Sequence, residues 1–245
     1  MEIRVILFAR LRELAAKVPE RLALAEGASV ADAWAQLAEG NDELARLRAV
    51  VQAARNQRHV TWDEPLADGD ELAFFPPVSG GSGHEHDPNE PDDIDPDSID
   101  EVWVGTAPIS QEDPPLPDEE TGAVVRFLGA VRGTFQETIT DAGPGEAALG
   151  APQPITRMRY EVYDGMAESE LAAIAREARE RFGVRNLRIL HRVGDVAVGE
   201  VSLLVSVVGS HRKEAFAACG WIVDAIKERV PIWKKELLID GERWV

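Results

Sequence analysis

Residues 2–8 (EIRVILF) form a β-branched, apolar run with the character of a strand. Residues 10–17 read as a short helix that turns Leu11 and Leu14 inward, and residues 21–25 as a second strand returning beside the first. Ser29 is a good N-cap for a helix over 30–38, and Gly40 supplies its stop. Residues 50–54 and 59–62 read as short strands. Asp68-Gly69-Asp70 then turns the chain into a last apolar run, 71–75.

At that point the pattern breaks. An apolar run that meets Pro76 and Pro77 cannot continue as a paired strand, because proline has no N–H to donate. Gly80 and Gly81 then carry no side chains, so the backbone there can enter a narrow slot. Taken alone, Gly80-Gly81-Ser82-Gly83 reads rather as a flexible linker. Residues 82–100 (SGHEHDPNEPDDIDPDSID) are acidic, proline-rich and almost devoid of large apolar groups. They cannot bury enough surface to offset ordering, which predicts a disordered linker. His84 and His86 inside it fix no metal geometry, since two ligands in such a segment are too few.

A second patterned region begins near Glu101. Residues 102–106 and 122–131 read as strands, the latter with Val124, Phe127 and Val131 apolar, and 155–163 as another. Residues 136–154 read as a long loop. Asp164 is placed to cap a helix over 166–182, with Leu171, Ile174, Ala175, Ala178 and Phe182 on one face and Gly183 as its stop. Residues 187–193 and 200–208 are two further strands. A last helix runs over 211–229, because Pro231 biases Val230 away from helix. The expectation is α+β: helices laid against a mainly antiparallel sheet, behind a smaller N-terminal domain.

Composition narrows the function classes. The net charge is −18, but residues 82–120 hold fourteen acidic and no basic side chains, whereas 121–245 carry seventeen of each. The charge therefore speaks against nucleic acid as a partner without describing the folded parts. No apolar run approaches the ~18 residues that span a bilayer, and no cleavage site follows the N-terminal run, so a soluble cytoplasmic protein with no membrane partner is expected. A single cysteine, Cys219, excludes an internal disulfide and a thiolate metal cluster, and no metal is expected.

On the last helix Phe216, Cys219, Val223 and Ile226 make an apolar stripe, and Lys227, four residues after Val223, projects from it. An ammonium held against apolar neighbours loses its proton more easily, which suits a general acid/base or transient nucleophile. A lysine snorkelling at a helix end, favoured by the dipole, accounts for the position equally well. Lys234 follows Pro231-Ile232-Trp233 outside the helix and reads either as a site lysine or as a solvated charge beside Lys235. His211 and Arg212 stand at the helix start, where a phosphate is well received. Cys219 reads as core.

The order β-β-α-β-β, with a small extra helix, is that of a ubiquitin-like β-grasp roll. VILFARLREL, AARNQ and LADGDELAFFPPVSGG resemble the small subunit of molybdopterin synthase, a ubiquitin-like sulfur carrier, over residues 1–81. GAVVRFLGAVRG, YEVYDGM, LHRVGDVAVGE, SHRKEAF, IKERVPIWKKE and GERWV resemble the large, catalytic subunit of the same enzyme over residues 101–245. The resemblance implies a sulfurtransferase with no permanently bound cofactor. It implies sulfur carried as a thiocarboxylate on Gly81 and delivered to cyclic pyranopterin monophosphate, giving molybdopterin. It further implies Lys227 and Lys234 as catalytic residues, and Arg132, His211 and Arg212 as substrate-binding ones. The implied partners are the pterin phosphate, an ATP-dependent adenylyltransferase acting on the small domain, and a sulfur donor.

Two features depart from that pattern. A thiocarboxylate needs a free terminal carboxylate, yet Ser82 follows Gly81, so a processing protease is expected to cut between them. His211 and Lys227 are sixteen residues apart, about 24 Å along a straight helix. A compact pterin cannot touch both in one chain, so either one of them is not a ligand or, as preferred, the catalytic domain forms a homodimer with composite sites. The competing expectations are a sulfur-carrier or docking module, and an unprocessed, inactive fusion scaffold.

Overall fold

The computed structural model describes residues 1–15, 20–77, 101–112, 121–135, 138–139, 148–149 and 153–245. The Gly80-Gly81 tail, the acidic 82–100 stretch and most of the 136–154 stretch lie outside the described residues. The described residues fall into two compact units, 1–77 with Tyr163–Met166, and the remainder from 101 onward.

In the first unit β1 (Glu2–Leu7), α1 (Ala9–Leu14), β2 (Arg21–Ala23), α2 (Val30–Leu37) and α3 (Asp42–Arg46) are followed by β3 (Gln52–Arg55), β4 (Arg58–His59) and β5 (Glu71–Phe75). They form a five-stranded sheet in the order β2-β1-β5-β3-β4, with the central β1 and β5 parallel and the other pairs antiparallel. Alternation in β1 sends Ile3, Val5 and Leu7 into the core with Leu11, Trp34 and Phe74. Burial of each such side chain is worth about 1.5–3 kcal/mol.

The Ser29 hydroxyl accepts from the Asp32 N–H at 3.2 Å, and the Asp32 carboxylate accepts from the Ser29 N–H at 2.8 Å. That reciprocal box starts α2 as expected. Gly69 makes the turn into β5 at φ +82°, where glycine pays no steric penalty. Leu14 is only half-buried, so α1 turns Leu11 and Ala15 inward instead. Helix α3, capped by Asn41 at the Leu44 N–H, was not expected, because five residues are too few to show a helical period. β4 is two residues long and ends before Val60.

The second unit contains β6 (Glu101–Gly105), β7 (Ala123–Ala130), β8 (Thr134–Phe135), β9 (Thr138–Ile139), β10 (Ala148–Leu149), β11 (Gln153–Val162) and α4 (Met166–Phe182). β12 (Asn186–Arg192), β13 (Gly194–Ala197), β14 (Val201–Gly209), α5 (Arg212–Arg229), β15 (Ile232–Leu238) and β16 (Glu242–Trp244) complete it. Two larger sheets and the two-stranded β9–β10 pair form where one sheet was expected. One has the order β6-β12-β14-β7; the other runs β13-β11-β15-β16, with β8 also paired to β11. Only β6–β12 is parallel among the pairs of these two sheets.

One core joins both sheets to both helices: Leu171, Ile174 and Ala178 of α4, Ala218, Ile222 and Ile226 of α5, Leu187 and Ile189 of β12, and Met158 and Tyr160 of β11. Cys219 is buried in it, and burial pushes its thiol up, so it is core and no nucleophile. Phe216, expected on the buried stripe, is 66% exposed. Cys219, Val223 and Ile226 of that stripe are buried as expected, and the buried face extends through Ala215, Ala218, Ile222 and Ala225 on the side away from Phe216. Gly165, not Asp164, directly precedes α4. The expected 136–154 loop contains the paired β9 and β10, and β11 already begins at Gln153.

Candidate functional site

α5 ends where Val230 leaves the helix at ψ +124°, and Pro231 carries the chain directly into β15. This abrupt exit places two lysines, Lys227 in the last helical turn and Lys234 in the strand, on either side of one corner. They sit in different surroundings. Lys227 is exposed, not held against the apolar stripe, because the buried face of α5 is turned away from it. Lys234 is half-buried in the middle of a paired strand, directly opposite Tyr160 of β11.

The Lys234 amine is pushed below its ordinary value of 10.5, first by burial, then by Lys227, then by Arg132. Arg132 is exposed and lies two residues past the end of β7; its neighbour Val131 is buried and bonded through its N–H to the Glu200 carbonyl at 3.0 Å. Arg132, Lys227 and Lys234 therefore form one cationic cluster drawn from a strand end, a helix end and a strand interior. In such a cluster an anion is attracted, and the least solvated amine gives up its proton most readily.

The hairpin β15–β16 holds Lys234 in place. Lys235, on the opposite face, is buried, paired with Glu242 and stacked by Trp244, with its ammonium 5.1 Å from the ring centroid. Glu236, on the Lys234 face, is buried and accepts from Arg243 at 2.8 Å. Arg243 in turn lies over the Phe135 ring at 3.2 Å. The Val245 N–H closes the ladder on the Lys234 carbonyl at 2.9 Å. GERWV is thus the strand that fastens the lysine strand.

Beneath Lys234 lies a polar group set that the sequence reading missed. The Tyr160 hydroxyl donates to Ser202 Oγ at 2.8 Å, and Ser202 donates to the Gly129 carbonyl at 3.2 Å. Ser202 sits where the β7–β14 register shifts between Val201 and Leu203, and the irregularity turns its hydroxyl into the core. His191 of β12 is 4% exposed and packs edge-on to Tyr160, with ring centroids 5.3 Å apart. Its Nδ1 is 2.9 Å from the Arg192 carbonyl. A carbonyl only accepts, so Nδ1 carries the proton and Nε2 the lone pair. Burial pushes the imidazole down to about 4; the Arg192 carbonyl opposes that and Lys234 adds to it, so the ring is neutral at pH 7. Its signal in the sequence was a polar residue in step with Leu187 and Ile189 on an apolar strand face.

Of the expected site residues, the structure brings Arg132, Lys227 and Lys234 together. His211 is the N-cap of α5, without a side-chain cap bond, and Arg212 is the first helical residue; both are exposed. They stand at the opposite end of α5, whose 18 residues span about 27 Å, so one chain does not bring them to the lysines. Gly81 lies outside the described residues. Among the described residues no group of three His, Cys, Asp or Glu side chains is arranged for a metal ion.

Residues 104–229 match the family model described as MoaE protein, and residues 5–81 match the ThiS family. A molybdopterin synthase catalytic subunit of Pyrococcus abyssi is 42% identical over 125 residues, covering 51% of this chain and 74% of that protein. Its counterpart from Oryza sativa subsp. indica is 38% identical over 155 residues, covering 59% and 77%. The crystal structure of molybdopterin synthase from Staphylococcus aureus is 32% identical and covers 59% of this chain and 96% of that one, with a TM-score of 0.48.

Proposed function

The chain belongs to the MoaE protein family, with a ThiS-family region ahead of the MoaE region, and we propose that it is a fused molybdopterin synthase carrying both sulfur carrier and catalytic site. It is a sulfur-transferring enzyme of molybdenum cofactor biosynthesis. In the proposed reaction the thiocarboxylate sulfur of Gly81 bonds to a side-chain carbon of cyclic pyranopterin monophosphate as the C–O bond at that carbon breaks and its oxygen leaves with a proton. Water then takes the acyl carbon, which returns Gly81 as a carboxylate and leaves the sulfur on the pterin. A second charged carrier repeats the transfer and completes the dithiolene of molybdopterin.

One observation carries this reading: a half-buried lysine whose proton affinity is lowered by burial and by two neighbouring cations. Lys227 and Arg132 meet the anionic groups, phosphate or thiocarboxylate, as exposed charges. Lys234 moves the proton at the carbon under attack, since burial and the neighbouring cations make its amine release a proton more readily than in solution. His211 and Arg212 serve the site of a second copy in a homodimer, reaching its phosphate from a helix N-terminus. The protein holds no cofactor permanently; the pterin is substrate.

The fusion itself demands processing. A carboxylate must be adenylated before sulfur can replace the adenylate, and an internal peptide bond offers no such group. A protease is therefore proposed to cut between Gly81 and Ser82, after which an ATP-dependent adenylyltransferase and a sulfur donor charge the 81-residue carrier. Gly81→Pro, which blocks the cut, should leave a full-length chain by intact mass that is never thiocarboxylated. An uncut chain that still makes molybdopterin from an adenylyltransferase-dependent sulfur source would overturn the processing step.

A further inference from the structure

The catalytic reading leaves one buried titratable side chain without a task. His191 lies in the core of the second unit, on the sheet opposite to the one that carries Lys234. An imidazole at that depth is costly unless its polar atoms are used. One of them is: Nδ1–H donates to the Arg192 carbonyl, which fixes the tautomer and the ring plane. The ring edge rests on Tyr160, whose hydroxyl is anchored on Ser202 and through it on Gly129. Tyr160 is in turn the cross-strand neighbour of Lys234 in β15. The chain of contacts therefore runs from the β14 irregularity to the lysine without passing through solvent.

We propose that His191 is a positioning residue for Lys234, a neutral ring wedged between the two sheets that sets the depth of the lysine strand and keeps a further positive charge out of the cationic cluster. The inference rests on the catalytic reading of Lys234 given above. Placement follows from packing: the ring holds Tyr160, and Tyr160 is paired to Lys234 along β11 and β15. Charge exclusion follows from the groups around the two residues. His191 faces Tyr160, the Arg192 carbonyl and Lys234, and Lys234 faces Lys227 and Arg132. The acid on the Lys234 face of β15, Glu236, is already paired with Arg243. A protonated imidazole would add another positive charge beside Lys234.

Two measurements on the full chain test this. The first follows the His191 ring signal by NMR in histidine-labelled protein, assigned by its loss in His191→Phe, without any need for turnover. Replacing the neighbouring charge, Lys234→Met, should raise the titration midpoint of His191, because coupling between two groups is reciprocal. A midpoint that does not move would overturn the coupling.

The second measures turnover with cyclic pyranopterin monophosphate and thiocarboxylated 1–81 domain. His191→Ala removes the ring and should lower kcat about tenfold or more while leaving KM within about twofold, as expected when a proton-transfer group is misplaced. His191→Phe, neutral and still presenting a ring to Tyr160, should recover most of that loss. An unchanged kcat in folded His191→Ala, or a His191→Phe as impaired as His191→Ala, would overturn the positioning role. Should His191→Ala fail to fold, the NMR shift in Lys234→Met and the activity of His191→Phe decide. If Lys234→Ala keeps full turnover, the catalytic reading fails instead, and the NMR result stands independently of it.

Discussion

The last turn of α5 and the strand that follows it each present a lysine, seven residues apart, to the same cluster. The helical one, Lys227, is held by a single element and its ammonium is in solvent. The strand one, Lys234, is paired to β11 on one side and tied to β16 on the other, with buried side chains before and after it. Helical spacing from an apolar residue had pointed to Lys227 as the desolvated amine. Val223, from which that spacing was counted, is buried as expected, but Phe216 and Lys227 lie on the outer edge of the helix and are exposed. A helix offers each side chain a wide choice of depth, whereas a strand with neighbours on both sides fixes it. Burial lowers the proton affinity of the lysine on the strand, and in the proposed reaction the one on the helix serves as a charge.

The largest expected effects come from removing each lysine and then restoring only its charge. Lys234→Ala and Lys227→Ala should each lower turnover by about 10²–10⁴-fold, the range for losing a positioned acid–base or charge-stabilising group. The conservative changes separate them. Lys234→Arg should be as inactive as Lys234→Ala, since a guanidinium does not give up its proton, whereas Lys227→Arg should regain much of the loss. The opposite ranking, measured as kcat/KM on purified folded variants, would exchange the two roles.

Next in size is complementation between inactive chains. Mixed dimers of His211→Ala with Lys227→Ala should regain activity, because one site then holds both residues intact, and His211→Ala with Lys234→Ala should behave alike. Lys227→Ala with Lys234→Ala should not recover, as both lysines belong to one chain's site. Recovery in that last mixture, or none in the first two with mixed dimers confirmed, would contradict composite sites shared in this way.

The smallest effect is on stability. A lysine whose folded proton affinity is depressed binds fewer protons in the native state than in the unfolded chain. Stability is therefore reduced at pH below the folded value and recovers as pH rises toward 10.5. Lys234→Met should accordingly raise the melting temperature at pH 7, by an amount that shrinks as the pH approaches 10.5. For the exposed Lys227 the same replacement should leave melting nearly unchanged. A loss of stability in Lys234→Met would mean that its charge is favourably paired.

Much of this was legible in the sequence because local signals and tertiary structure agree. Ser29 with Asp32, the Asp68-Gly69-Asp70 turn and the proline after Val230 each set a boundary by chemistry that acts within a few residues. The cationic residues Arg132, Lys227 and Lys234 were found through motif resemblance, but not their environments. Depth depends on which strands pair, and β15 was hidden because two lysines and a glutamate interrupt its apolar pattern. Those charges are tolerated in a sheet only because Glu242 and Arg243 meet Lys235 and Glu236 across the hairpin. The polar set under the site was missed for a related reason: Tyr160, His191 and Ser202 come from three strands, and only the β14 irregularity turns the serine toward the tyrosine.

The most direct test of the account is the proton affinity of the Lys234 amine itself. Brief exposure of the full chain to an amine-reactive acylating reagent across a pH series, read peptide by peptide by mass spectrometry, gives the titration midpoint of each lysine separately. Slow reaction from partial burial lowers the rate but not the midpoint. The account predicts a midpoint for Lys234 clearly below 10.5, moving upward in Arg132→Ala and in Lys227→Ala, since each removes one of the charges that depress it. A midpoint at or above 10.5, or one indifferent to both substitutions, would contradict the assignment of Lys234 as the proton-transferring residue.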